Sequence, residues 1–446
     1  MTTRIYLKDK QGTEHGVLLD IQKGTLRWED TGNLVSLAPV RLQYAMPSMP
    51  WEHAAERVTS PEQPGHKRGE KTLVKVQLGL NCNFNCAYCL QEPETPMPGG
   101  KAKRVIPIAG PTARKDDVHH FLENLPNWLQ PGAQLRFELW GGEPFVYWKT
   151  FKPLAEGLMR QYPQASVGTV SNGSLITDEI VDWFLANPQL GITISHDGLA
   201  GHRDEDVLDN PAVVRLYHGL RTQGRLMGFN CVMTTGNLSV VAIRAYIAGK
   251  LGVPAEEVRL STEGLVTPYD EPSRRFVPTH EEMAVVFKEL VTRKSLFLFG
   301  PDLGEYMQGF AMQKPATAVG QRCGLDRPES IVVSLKTQDV VTCQNTLPVG
   351  KHRLGHVDDL DNVKLDTVWH WKARPNCGEC PVLPLCKGSC LYLEEDEFAR
   401  ACDSQFKYRL PFLAAALYFI TGFVMTKVDW AGGTVEVDYL QALQRQ

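Results

Sequence analysis

The stretch LVKVQLGLNCNFNCAYCL, residues 73–90, decides the fold. Residues 73–80 are rich in Leu and Val and read as a β-strand. Directly behind it stand Cys82, Cys86 and Cys89, three thiols within eight residues. Structural zinc normally takes four ligands, often as two pairs far apart in sequence. Iron–sulfur clusters are held by cysteine thiolates, usually four. Three thiolates on one loop can hold three irons of a [4Fe–4S] cube and leave the fourth iron open to another ligand. The next cysteine is Cys231, so a zinc ion on this loop has nothing near it to close the site.

Outward from this stretch, strand, loop and helix repeat. Strand-like runs cover 73–80, 135–139, 166–170, 192–195, 229–233 and 258–260; helix-like runs cover 148–162, 178–185, 212–222 and 238–251. Thr177 is placed to cap a helix, Pro211 suits a first helical turn, and Thr279 with Glu282 makes a capping box. Six strands alternating with helices predict a parallel α/β sheet, open or partly closed into a barrel. Such sheets bind ligands at the carboxyl ends of their strands. Those ends carry the cysteine loop, GGEP at 141–144, SNG at 171–173 and HDG at 196–198.

The flanks read differently. Short alternating runs at 4–7, 17–21 and 25–28 predict a small β-rich domain within residues 1–70, and the polar stretch 59–70 reads as a linker. The most apolar run, 412–425, is short for a membrane span and reads as a buried helix. Residues 1–9 lack the apolar core of a signal peptide. The net charge of −4 on 446 residues gives no global attraction to nucleic acid. These features predict a cytoplasmic protein without a membrane span. Disulfides are disfavoured there, so clustered cysteines point to metal or catalytic sites. Ten of the eleven cysteines are grouped; Cys231, alone in an apolar strand, reads as a core residue.

C-x3-C-x2-C behind a strand resembles the signature of the radical S-adenosylmethionine (SAM) superfamily. The resemblance implies a partial (β/α)6 parallel barrel over 71–300. It also implies a [4Fe–4S] cluster on Cys82, Cys86 and Cys89 whose open iron chelates SAM. An electron from that cluster would split SAM to a 5′-deoxyadenosyl radical that abstracts hydrogen from a substrate. Gly141, Gly142 and Glu143 match the loop that receives the methionine ammonium, an anion opposite a cation. Taken alone, GGEP is an ordinary turn. Tyr88 matches an aromatic position near the adenine, or packs as core. Asn172 and Ser195 match contacts to ribose and carboxylate. Asp197 matches the same site or stabilises its own turn, and 234–237 resembles a further strand-end element. Trp140 stands where the sulfatase-maturase branch has glutamine. The arginine that usually follows Ser-x-Asp-Gly is displaced: Arg203 comes early and Val207 occupies the matching offset.

Cys377-x2-Cys380-x5-Cys386-x3-Cys390, followed by Cys402, resembles the SPASM domain, which carries auxiliary [4Fe–4S] clusters in peptide-modifying radical SAM enzymes. Its spacing is not that of a zinc ribbon. LGHV at 354–357 and LDTVW at 365–369 resemble its lead-in. The resemblance implies a loop-rich iron–sulfur domain with a C-terminal helix over 301–446. It groups Cys377, Cys380, Cys386 and Cys402 on one cluster, and Cys390 with Cys323 and Cys343 on another. Gln338 and Ser389 stand where glycines are common. Gln344 follows Cys343 where sulfatase maturases have an aspartate base; an amide cannot be a general base, so oxidation of a sulfatase residue is disfavoured.

The resemblance covers 71–402. It implies crosslinking or oxidation of a peptide or protein substrate, with an electron donor such as a flavodoxin or ferredoxin. Residues 1–70 are outside it and offer strands to which a leader segment could add. Dehydrogenation or epimerisation of a small molecule is the second reading. A non-enzymatic iron–sulfur or zinc protein is the third, against which the GGEP, SNG and HDG turns argue.

Overall fold

The computed structural model describes residues 2–37, 58–89, 112–130, 135–268 and 271–444. Part of the reading made for residues 1–70 falls on 38–57, outside the described residues. Three strands open the chain: β1 (Thr3–Lys8), β2 (Glu14–Asp20) and β3 (Thr25–Trp28). The two-residue β4 (Gly65–His66) follows, and then β5 (Leu73–Gln77) begins the repeating part. That part runs α1 (Lys115–Trp128), β6 (Arg136–Trp140), α2 (Trp148–Gln161), β7 (Ser166–Ser171), α3 (Asp178–Ala186), β8 (Leu190–Ser195), α4 (Pro211–Thr222), β9 (Gly228–Met233), α5 (Val240–Leu251) and β10 (Arg259–Leu265). Beyond it come α6 (Ala284–Val291), α7 (Leu296–Ala311), β11 (Ser330–Ser334), β12 (Asp339–Val341), β13 (Arg353–His356), β14 (Lys364–Leu365), α8 (Leu383–Cys386), α9 (Glu395–Thr421), β15 (Val424–Trp430), β16 (Gly433–Glu436) and α10 (Tyr439–Gln444).

The main sheet has nine strands in the order β10-β9-β8-β7-β6-β5-β11-β12-β13. From β10 to β11 all neighbours are parallel; β12 and β13 are antiparallel. β5 to β10 follow one another in sequence and in space. Right-handed crossovers repeated in one direction put every helix on one face. The sequence shows which face: Val74, Val76, Phe137, Leu139, Val167 and Ile194 are buried under the helices. The alternate positions carry Lys75, Gln77, Glu138, Gly168, Thr193 and Asn230, polar or small groups on the opposite face.

The signals at Thr177 and Pro211 start helices as the sequence indicated, whereas the Thr279–Glu282 box closes a turn ahead of α6, which begins at Ala284. Thr177 Oγ1 accepts from Ile180 N at 3.5 Å, and Pro211 opens α4 behind Asn210, which accepts from Ala212 N. Thr279 and Glu282 form reciprocal bonds of 2.7 and 3.1 Å. Cys231 is buried, as read.

Three features differ from the sequence reading. The apolar run 412–425 is not one helix: α9 stops at Thr421, Gly422 turns at φ +76°, and Val424 begins a strand. Among the described residues no helix is long and apolar enough to cross a membrane. The first three strands do not form a sheet by themselves. β15 pairs antiparallel with β1, giving the order β16-β15-β1-β2-β3. The polar stretch 59–70 is pinned, with β4 pairing to β14. Lys67, 2% exposed, gives its ammonium to the carbonyls of Leu325, Arg327 and Ser330 at 2.5, 2.9 and 2.7 Å.

Candidate active site

The loops behind β5 to β9 meet at one rim. The cysteine loop is locked to the GGEP turn by backbone bonds, Gly142 N to Gly79 O at 3.1 Å and Glu143 N to Asn81 O at 2.9 Å. Asn81 N also donates to Tyr147 Oη at 2.8 Å. A side chain at Gly142 would come within 2.3 Å of Leu80 O, so glycine is required for this approach. Glu143, 1% exposed, then joins GGEP to SNG. Its carboxylate accepts from Phe145 N (3.0 Å), Ser171 Oγ (2.8 Å) and Asn172 N (2.7 Å). Burial pushes its pKa up to about 7 against the pull of those donors.

Cys82, Cys86 and Cys89 lie together. Burial first, and then the neighbouring thiols and acids, push Cys82 up to about 11 and Cys86 up to about 12. Asn172 lies beside them, its Nδ2 bonded to Asn83 Oδ1 at 2.9 Å and 3.8 Å from Cys82 Sγ. Ser195, half-buried, ends β8 opposite Asn230.

Asp197 is 3% exposed and surrounded by donors. Arg203 reaches it with Nε at 2.7 Å and Nη2 at 3.3 Å, Val232 N at 2.9 Å, and the Tyr88 hydroxyl donates as well. Arg203 also lies 5.9 Å from the Tyr88 ring centre and close enough to Cys86 to pull its thiol pKa down. The arginine that seemed displaced in sequence is therefore at the rim, because the loop after HDG folds back over the cysteine loop; Ala87 N donates to His202 O at 3.3 Å. The next shell is His196, which shares a proton with Asp206 Oδ1 at 2.9 Å, and Asp206 also accepts from Tyr246.

The face of the sheet away from the helices holds a cavity of about 430 Å³ against Arg136, Glu138, Gly168, Thr193 and Ser261. Lys75 stands at its edge, 3.2 Å from Glu138 and 5.1 Å from the Trp140 ring centre; Trp140 Nε1 donates to Glu138 at 3.1 Å.

The C-terminal cysteines fall into two groups. Cys377, Cys380, Cys386 and Cys402 line one cavity of about 30 Å³. Burial pushes Cys377 and Cys386 up to about 12, and mutual repulsion among the four adds to it. Cys343 is pushed up to about 12 and Cys390 to about 11, by burial and then by neighbours that include Cys323. All eleven cysteines are free thiols. Four sulfurs around a hollow fit a polynuclear cluster in chemistry and number. Among the described residues no three His, Cys, Asp or Glu side chains converge closely enough for a single ion. Beside Cys343, Gln344 holds a buried Oε1 with no partner, and its carbonyl accepts from Gln77 Nε2 at 2.8 Å.

No family model and no curated protein matches the chain. Solved structures do. Native anSMEcpe with bound AdoMet and the Kp18Cys peptide aligns at TM-score 0.52 and 18% identity, over 76% of this chain and 98% of that one. The tagged form with bound AdoMet aligns at 0.53 and 16%, over 84% and 98%. The chain shares the fold of these AdoMet-bound structures. A looser likeness, at TM-score 0.43 and 12% identity over 72% of each chain, is to Streptococcus suis SuiB bound to its precursor peptide SuiA. In this shared fold the cysteine loop, GGEP, SNG and HDG stand at the carboxyl ends of the parallel strands.

Proposed function

We propose that this chain is a radical SAM enzyme that modifies a peptide or protein, by crosslinking or oxidation. One observation carries the reading: three thiols on one loop sit at the strand ends, fastened to the GGEP and SNG turns. Cys82, Cys86 and Cys89 would hold a SAM-binding [4Fe–4S] cluster. When bound, that cluster supplies the electron that splits SAM and yields the radical that takes hydrogen from substrate. The chain's own part is binding, orientation and exclusion of water. Gly141 and Gly142 leave backbone open to a close ligand, Asn172 and Ser195 offer polar contacts, and Tyr88 offers a ring fixed by Asp197. The six parallel strands would curve as a partial (β/α)6 barrel over the sheet-face cavity, where substrate would lie. Cys377, Cys380, Cys386 and Cys402 would hold one auxiliary cluster, and Cys323, Cys343 and Cys390 another. The domains would be 1–70, 71–300 and 301–446, and the protein would work in a reducing cytoplasm with a flavodoxin or ferredoxin as donor. The peptide bound to the fold neighbour supports the substrate class.

The test is anaerobic. Reconstituted with iron and sulfide, the protein should hold about twelve irons per chain and release 5′-deoxyadenosine from SAM under strong reductant. The Cys86→Ala variant should release none while keeping its auxiliary iron. Zinc in place of iron, or 5′-deoxyadenosine from the variant, would sink the assignment.

A further inference from the structure

A second cavity, also about 430 Å³, opens between β10, α7, α9 and the loop at 321–327. Ser261 lines both this cavity and the sheet-face one, so the two share a wall. Four cations and two carboxylates surround it. Lys387 is paired with Glu305 at 2.8 Å and Arg409 with Asp302 at 2.9 Å. Among the described residues Arg322 and Arg327, both exposed, have no ion pair; Arg322 makes one long bond, 3.5 Å, to Glu263 O, and its charge acts on Asp302 and Cys386. Arg409 is 3% exposed and its Nε finds no partner among the described residues. Four cations against two carboxylates leave the hollow net positive, with the excess charge on the exposed Arg322 and Arg327. Guanidinium matches a carboxylate with two parallel N–H bonds.

We propose that this cavity anchors a carboxylate of the substrate, held by Arg322 and Arg327, while the residue to be modified lies across Ser261 in the sheet-face cavity. The substrate is therefore a peptide segment that presents a carboxylate, from an acidic side chain or from its C-terminus. This rests on the peptide reading above.

Fluorescence anisotropy on the reconstituted full chain tests it with labelled, capped tetraglutamate and tetraglutamine peptides. A tetraglutamine with a free C-terminal carboxylate separates a terminal anion from a side-chain one. At low salt the tetraglutamate, or the free-carboxylate peptide, should bind at least tenfold more tightly than the neutral one. Arg322→Gln with Arg327→Gln should abolish that preference. Arg327→Gln alone, four residues beyond Cys323, should reduce it severalfold with iron content unchanged. Arg215→Gln, a surface control, should change nothing. Equal binding of all three peptides, or a preference that survives the double variant, overturns the proposal. So does unchanged peptide binding joined to slower reduction by an acidic flavodoxin, which would make this the donor's face. Release of 5′-deoxyadenosine in the same samples is read separately: glutamate binding without it would sink the enzyme reading and leave the anion site standing.

Discussion

At Asp197 a single carboxylate accepts from a tyrosine, an arginine fork and a backbone amide, all out of water. Removing one member of a buried ion pair strands the other charge and costs about 3–5 kcal/mol. Arg203→Ala should therefore lower the unfolding free energy measured by urea denaturation by that much, and Arg203→Lys by less. Counting along the sequence puts this arginine out of place, since an offset in residues says nothing of a loop that folds back. Glu143 is the opposite case. Its partners are backbone amides and one hydroxyl, and burial raises its pKa to about 7 from an ordinary 4.5. The folded state then keeps a proton that the unfolded chain releases, so this group lowers stability as pH rises from about 4.5 to 7. Glu143→Gln should flatten that part of the stability–pH curve, by at most about 3 kcal/mol between pH 4 and 8. Two other residues were visible in sequence as departures from glycine, and the backbone shows what they tolerate. Gln338 and Ser389 both sit in the left-handed region, at φ +55° and +53°. A side chain there costs about 1 kcal/mol or more. Ser389→Gly should raise the melting free energy by about that amount; Gln338→Gly gains less, since Gln338 Oε1 accepts from Asn124 at 2.7 Å.

Among elements, the βα repeat was legible because its signals are local. Alternation, caps and Pro211 placed four helices and six strands within a few residues of where they lie. α1 escaped because its N-cap position is Arg114, not a Ser, Thr, Asp or Asn, and Pro126 interrupts it. β11 escaped because its five residues are all buried, so it shows no alternation. The stretch 59–70 misled for a plainer reason: polarity was taken for exposure. Lys67 buries its stem and spends its three protons on carbonyls of the segment behind Cys323. Lys67→Met leaves those carbonyls unpaired, about 1–3 kcal/mol each at most. Hydrogen exchange over residues 323–330 should speed up at least tenfold in that variant, with exchange in α3 and α4 unchanged.

For the whole molecule, the two C-terminal thiol groups should behave as separate sites. Cys380→Ser and Cys343→Ser should each remove about four irons, and the double variant about eight; losing all the iron with either single change would make them one site. The general plan of that part was legible from cysteine spacing. What no spacing could show is that β15 crosses the molecule to pair with β1, since register between distant strands is set by packing alone. That pairing spans some 420 residues, as Thr426 Oγ1 donates to Tyr6 O. At roughly 5–20 residues per second of synthesis, β1 would wait about 20–80 s for its partner. During that time a strand edge bearing Ile5 and Leu7 is open to any other nascent chain, so ribosome spacing and chaperone supply would govern the yield of native protein.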